Sequence, residues 1–243
     1  MAEKKNLTFD LSGKVAVVTG GGGVLCSGFS KTLAAAGAKV AVCDLRKEAA
    51  QAVADEIVAA GGVAIAVGMN VLDADSVRAA RDEIVSSLGD VDLLLNGAGG
   101  NNPKGSTTKD NLTPEDMEAL EKNGTIEGVK TFFDLDPEGI SFVFNLNFLG
   151  TLIPTQIFAR DMAKRGGNII NVSSMNSFRP LTRIPAYSGA KAAVSNFTQW
   201  LAVHFAPVGI RVNAIAPGFF LTNQNRNLLL NADGSLSPRS EKI

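Results

Sequence analysis

Six short apolar runs punctuate the chain: KVAVVTG (14–20), KVAVCD (39–44), GVAIAVGMN (62–70), VDLLLNGAG (91–99), GNIINVSS (167–174) and GIRVNAIAP (209–217). They are rich in β-branched residues and lack polar alternation, which predicts strands buried on both faces, as in a parallel sheet. Between them lie helical stretches: GFSKTLAAAGA, closed by Gly37 as a C-cap, then EAAQAVADEIVAAGG and ADSVRAARDEIVSSLG. Later come FNLNFLGTLIPTQIFARDMAKRGG and the Ala-rich AYSGAKAAVSNFTQWLAVHFAPVG. Strand and helix alternate from first element to last. That order predicts an α/β fold: one Rossmann-like domain over residues 1–243, with a doubly wound parallel sheet in a three-layer αβα arrangement.

Two segments depart from the rhythm. Residues 101–140 carry four lysines against nine acids. Thr113, Pro114 and Asp116 fit an N-cap, an N1 proline and an N3 acid, so a short helix is predicted there. The segment is either a solvated surface loop or a flap over the substrate, since long loops in small domains are often lids. At the other end, polar NADGSLSPRSEKI follows the last helical stretch. A terminal helix and edge strand are expected to be absent.

Composition narrows the function. With 243 residues, 45% of them apolar, the chain is long enough for a sizeable core. A formal net charge of −1 offers no electrostatic case for nucleic acid or an anionic membrane. No uninterrupted apolar run reaches the ~18 residues of a membrane span. Cys26 and Cys43 do not make a disulfide framework, so free thiols and a cytoplasmic location are expected. A single histidine, His204, and two distant cysteines leave no dense metal-ligand cluster.

Between the first strand and the first helix stands TGGGGVLCSGFS, from Thr19. Gly20, Gly21, Gly22 and Gly23 allow a sharp turn and close approach to a pyrophosphate. The helix that follows points its free N–H groups at the phosphates, and Val24 and Leu25 are candidate cofactor contacts. Asp44 ends the second strand, where a carboxylate accepts both ribose hydroxyls of NAD and repels the 2′-phosphate of NADP, although Arg46 is near enough to soften that discrimination. NAD is therefore expected over NADP. Asn70, followed by Val71, ends the third strand within reach of adenine.

The only tyrosine, Tyr187, precedes Lys191 by one helical turn, and Ser173 and Ser174 lie upstream. Reduction of a ketone builds charge on the carbonyl oxygen and needs a proton donor. A free phenol has a pKa of about 10, and bringing it toward neutrality takes roughly 4 kcal/mol of preference for phenolate. The Lys191 ammonium, on the same helix face, supplies part of that, and the cationic nicotinamide of the oxidised cofactor adds more. Ser174, thirteen residues before Tyr187, ends the fifth strand, where its hydroxyl can hold the substrate oxygen.

TGGGG at 19–23, NGAG at 96–99, Asn147 in NFLG, Ser174, Tyr187-x-x-x-Lys191 and PGFFLT at 217–222 occur in one order. That order resembles the short-chain dehydrogenase/reductase family over about residues 10–226. The resemblance implies a catalytic set of Asn147, Ser174, Tyr187 and Lys191, with Ser174 preferred to Ser173 and Asn147 holding a water in a proton relay to Lys191. It implies that Asn96, Gly97, Ala98 and Gly99 support the sheet beside the cofactor. It also implies that Pro217, Gly218, Phe220 and Thr222 hold the nicotinamide carboxamide, with Tyr187 and Lys191 touching the cofactor as well. The glycine turn departs from T-G-x-x-x-G-x-G: Val24 and Cys26 take the last two glycine positions. Cys26 thereby puts a side chain near the phosphates, as an inert buried thiol or as a thiol-sensitive site. Family members also use the final edge strand for tetramer contacts, so a homo-oligomer, dimer or tetramer, is expected.

The glycine turn, NGAGGNNP, the acidic insertion and PGFFLTNQNR together resemble one branch of that family, the short-chain-type D-mannonate oxidoreductases (fructuronate reductases). A small-molecule sugar acid is the implied substrate. Asn101, Asn102, Asn176, Asn223, Gln224 and Asn225 are candidates for its hydroxyls, and Arg179, Arg183 and Arg226 for a carboxylate clamp. Phe178 or Phe219 would wall the pocket. A dehydrogenase of another polyol or ketose, of the gluconate 5-dehydrogenase kind, and a non-catalytic NAD-sensing protein are the alternatives.

Overall fold

Val15–Thr19 forms β1, every residue buried, and β2 (Lys39–Asp44) and β4 (Leu93–Asn96) flank it in parallel. A computed structural model describes residues 9–219, 221, 226–237 and 240 of the chain. The remaining strands are β3 (Val63–Gly68), β5 (Gly167–Val172) and β6 (Ile210–Ile215). All pair in parallel in the order β3-β2-β1-β4-β5-β6. Successive connections reverse direction between β1 and β4, so a crevice opens at the carboxyl ends of these two strands, the place where doubly wound sheets bind ligands.

Two apolar layers hold helices to the sheet. On one face Val18, Val40, Val42, Ala50, Val53 and Ile57 pack beneath α1 (Val24–Ala35) and α2 (Lys47–Ala59). On the other, Val17, Leu94, Ile84, Phe158, Met162 and Ile169 pack beneath α3 (Ala74–Leu88), α6 (Gly150–Met162) and α7 (Pro185–Phe205). Buried apolar residues alternate between the layers along β1, β2 and β4 (Val17 and Val18, Cys43 and Val42, Leu94 and Leu95), which explains the unbroken apolar runs.

Residues 101–140 contain α4 (Pro114–Asn123), capped by Thr113, whose side chain accepts the Asp116 N–H while Asp116 accepts the Thr113 N–H. The long helix after it begins earlier than its apolar stretch suggests. Asp136 caps α5 (Pro137–Phe144), which continues through a π-turn (Asn145–Leu149) into α6. By length and composition this helix, Pro137–Met162, would pass as a membrane span, a match not seen when only unbroken apolar runs are counted. Its Thr151, Thr155, Phe158, Ala159 and Met162 are buried, and α6 packs on α3 and β4 as a core helix. Among the described residues the chain ends, after β6, in the short helix α8 (Arg226–Leu229) and a Leu230–Leu236 bridge.

Candidate active site

Three chain segments meet at the carboxyl ends of β1, β4 and β5. The first is the glycine turn. Gly20 has φ +65°, and a Cβ there would stand 2.9 Å from the Ala98 Cα, so only glycine fits between the β1 and β4 turns. A Cβ at Gly22 would lie 2.6 Å from Ala49 and 3.0 Å from the Asp44 carboxylate. The Gly22 N–H donates to Asp44 Oδ2 (3.1 Å) and the Arg46 N–H to Asp44 Oδ1 (3.0 Å), which fixes that carboxylate beside the turn. Gly23 begins α1 with no side-chain cap, leaving the first N–H groups of Val24 and Leu25 for an anion. This surface is a cradle of the kind a dinucleotide pyrophosphate fills.

Of the two readings of Cys26, the structure shows the buried thiol. A Cβ at Gly97 would collide with its Sγ, so the thiol packs under the β4 turn. Burial pushes it up to about 11, with Lys191 opposing, so the thiol stays protonated. Burial also raises Cys43.

The second segment is the β4 turn. Thr19, buried at the end of β1 and in register with Asn96, accepts the Gly97 N–H (3.0 Å) and the Ala98 N–H (3.1 Å). Its only sequence signal was its place before the glycines. The Asn96 side chain turns into the protein, donating 2.9 Å bonds to Thr155 Oγ1 and Asn171 Oδ1. Thr155 in turn donates to the Thr151 carbonyl (2.7 Å) and Thr151 to the Asn147 carbonyl (2.9 Å). Asn147, fully buried in the π-turn, donates through Nδ2 to the Gly100 and Val143 carbonyls (2.7 and 2.8 Å), and Oδ1 accepts the Gly100 N–H (3.3 Å). Such π-turns recur at functional sites.

The third segment runs from β5 to α7. β5 ends at Val172, so Ser173 and Ser174 lie just past the strand, and their hydroxyls have different partners. Ser173 Oγ lies 2.5 Å from Ser195 Oγ and 3.3 Å from the Lys191 carbonyl, inside the α7 packing. Ser174 Oγ accepts the Asn176 N–H (3.2 Å), and its hydroxyl lies near enough to the Tyr187 phenol to favour the phenolate. Lys191, 4% exposed, donates to the Val172 carbonyl (2.7 Å), with Nζ 5.6 Å from the Tyr187 ring centre. Burial lowers it from 10.5 to about 8. Tyr187 shifts upward: burial raises its phenol and the nearby Ser174 hydroxyl offsets this only in part. Lys191 is not among the causes of that shift; its ammonium donates to the Val172 carbonyl.

The remaining candidates divide. Asn70 Oδ1 accepts the Leu72 N–H (3.0 Å), and Val71 is buried against Gly150. The Pro217 carbonyl accepts the Met175 N–H (3.1 Å), which brings the β6 exit, with exposed Gly218, beside Ser174. Asn176 is 5% exposed and its Oδ1 has no partner; Asn101 donates to Ser106 Oγ (3.0 Å) while its own Oδ1 is likewise orphaned. Asn102 Oδ1 is used by the Lys104 N–H. Arg183 is not a free clamp: its Nε donates to Asp110 Oδ1 at 2.6 Å. Arg179 is exposed and has no ion pair among those of the described residues. Arg226 lines a cavity of about 420 Å³ with Leu230, Asn231, Ala232 and Gly234. Phe178 and Phe219 are both exposed, so neither is core. Phe220, Thr222, Asn223, Gln224 and Asn225 lie outside the described residues.

A 3-2-1-4-5-6 parallel sheet with a glycine cradle and an acidic residue at the end of β2 defines the dinucleotide-binding α/β class. The sequence profile of the short chain dehydrogenase family matches residues 14–232, and the chain belongs to that family of oxidoreductases. It is 54% identical over 235 residues to an uncharacterized oxidoreductase of Haemophilus influenzae, covering 96% of this chain and 79% of that one. It is 50% identical over 235 residues to an uncharacterized oxidoreductase of Bacillus subtilis, UxuB, covering 96% and 81%. A solved structure from Haemophilus influenzae superposes with a TM-score of 0.89 at 52% identity, covering 96% of this chain and 81% of the other; that protein is provisionally named a D-mannonate oxidoreductase and was solved with bound NAD.

Proposed function

We propose that this chain is an NAD(H)-dependent oxidoreductase of a keto sugar acid, with D-fructuronate and D-mannonate as its pair. The observation that carries the chemistry is the meeting of α7 with the end of β5: buried Lys191 lies 5.6 Å from the Tyr187 ring centre and donates to the Val172 carbonyl, two residues before Ser174. The substrate class rests on the provisional name of the 52% identical structure. Unpartnered buried amide oxygens on Asn101 and Asn176 also suit a hydroxyl-rich ligand.

The residues fit NAD. Asp44, held beside Gly22, suits ribose hydroxyls and opposes a 2′-phosphate, and the uncapped α1 terminus suits a pyrophosphate. When bound, the cofactor supplies or accepts the hydride. The chain's own residues handle the proton. Ser174 Oγ orients the substrate oxygen, and Tyr187 donates a proton to that oxygen during reduction. Its raised pKa suits this direction, because the phenol is protonated at neutral pH. Lys191 places a charge beneath the ring and favours the phenolate as it forms. Asn147 ties the β4 turn to the helix and, by family resemblance, orders water behind Lys191. The reading includes a cytoplasmic homo-oligomer; exposed Trp200 and Val203 on α7 and Leu149 at the end of the π-turn before α6 supply apolar surface for assembly.

The test is NADH consumption with D-fructuronate beside NADPH and a panel of neutral ketoses. Oxidation of NADH with fructuronate alone is expected. Equal turnover of neutral ketoses would overturn the sugar-acid assignment and leave the reductase.

A further inference from the structure

Helix α7 carries Tyr187 in its first turn, yet that turn lacks a cap of its own. Its N-cap is Ile184, which has no hydrogen-bonding side chain, and no side-chain cap bond is made. Immediately before it stands Arg183 at φ +71°, the one non-glycine residue with positive φ among the described residues. An L side chain adopts that conformation at a cost, and it persists only where neighbours impose it.

The neighbours come from the 101–140 segment. The Thr107 N–H donates to the Arg183 carbonyl (2.9 Å). Asp110 Oδ1 accepts from Arg183 Nε (2.6 Å) and from Thr182 Oγ1 (3.1 Å), across more than seventy residues of sequence. Gly105 is buried against the same turn: a Cβ there would lie 3.3 Å from that of Ala186. The segment is itself braced. The Thr108 N–H donates to the Lys130 carbonyl (2.9 Å), Lys130 N–H returns to Thr108 Oγ1 (2.8 Å), and Lys130 Nζ donates to the Lys104 carbonyl (2.8 Å).

We infer that the Asp110–Arg183 pair is a positioning device for the reaction: it docks the 101–140 segment on the entry to α7 and sets the place of the Tyr187 phenol relative to Ser174. Asp110 and Arg183 thus act through Tyr187 and do not touch the reacting atoms. The half-buried carboxylate and guanidinium are paired with each other, so Arg183 serves the helix entry and not the substrate carboxylate. This rests on the assignment of Tyr187 as proton donor.

The test compares wild type, Asp110→Ala, Arg183→Gly and the exchange Asp110→Arg/Arg183→Asp, using NADH and whichever carbonyl substrate wild type reduces best. Glycine relieves the strained φ, so Arg183→Gly separates loss of the pair from loss of folding; aspartate also tolerates that φ better than arginine. Both single variants are expected to lower kcat roughly 10- to 100-fold, the scale of an ångström-sized misplacement. NADH dissociation constant and melting temperature should hold, the ionisation seen in the kcat–pH profile should move, and the exchange should recover part of kcat. An unchanged kcat in both single variants overturns the inference. So does a fall in melting temperature with kcat per folded enzyme intact, or a rise in substrate KM alone, which would make Arg183 a substrate contact. Tyr187→Phe runs in parallel: retained turnover there would defeat the proton-donor assignment itself, whatever the Asp110 and Arg183 variants do.

Discussion

Gly99 faces Asn147 so closely that a Cβ at position 99 would lie 2.6 Å from the Asn147 Oδ1 and 3.2 Å from the Lys191 Nζ. Asn147 cannot easily yield, since its amide makes three hydrogen bonds to the Gly100 and Val143 backbone. Gly99→Ala is expected to lower kcat by roughly 10- to 100-fold and stability by about 1–3 kcal/mol. Steady-state kinetics and denaturant melts check both.

Lys191 is expected to shape the pH dependence of reduction. It carries its charge below about 8, and Tyr187 is protonated throughout neutral pH because its pKa is raised. The kcat/KM for NADH-dependent reduction should be level at neutral pH and decline above about 8 as Lys191 loses its proton. A rise through that region would show that the charged lysine is not needed.

The same burial makes Lys191 a liability for folding. Its folded pKa, about 8, lies below its ordinary 10.5. The unfolded chain therefore binds more protons between those values, and stability rises with pH across that window; below it the full penalty is present. Lys191→Met should stabilise the protein at pH 7 by about 2 kcal/mol, less than the roughly 3 kcal/mol of the shift because the Val172 carbonyl loses its donor. Activity should vanish. A lower melting midpoint for this variant would contradict the argument.

Asp44 holds its place through the Gly22 and Arg46 N–H groups. Asp44→Asn keeps an acceptor and loses the charge. The preference for NADH over NADPH, measured as a ratio of kcat/KM, should fall by about tenfold or more, equivalent to ~1.4 kcal/mol. An unchanged ratio would place the discrimination elsewhere.

Ser174→Ala should lower kcat by about 10²-fold or more through loss of the hydroxyl at the phenol, with little change in melting temperature. Ser173→Ala should do the reverse. Its hydroxyl is buried against Ser195 and the Lys191 carbonyl, so stability falls by about 1–3 kcal/mol while the kcat of folded enzyme stays near wild type. Equal kinetic effects of the two would undo the division between them.

The sheet was legible because its information is local. Val15–Thr19 or Lys39–Asp44 is apolar on both faces wherever it goes, and only a doubly covered parallel strand accommodates that. The glycines after Thr19 and the one-turn spacing of Tyr187 and Lys191 are likewise short-range facts, readable before any contact is known. Other features came from segments far apart in sequence meeting in space. Arg183 reads as a free cation until the fold brings Asp110 to it. Lys191 reads as the tyrosine's immediate partner until β5 offers the Val172 carbonyl to it. Cys26 reads as either a buried or a thiol-sensitive residue until Gly97 is found to leave room for its sulfur. Local pattern thus determined the elements, the cradle and the reacting side chains. Only the tertiary structure decided their partners and charges, because burial and hydrogen-bond competition depend on which distant segments the chain crossings bring together.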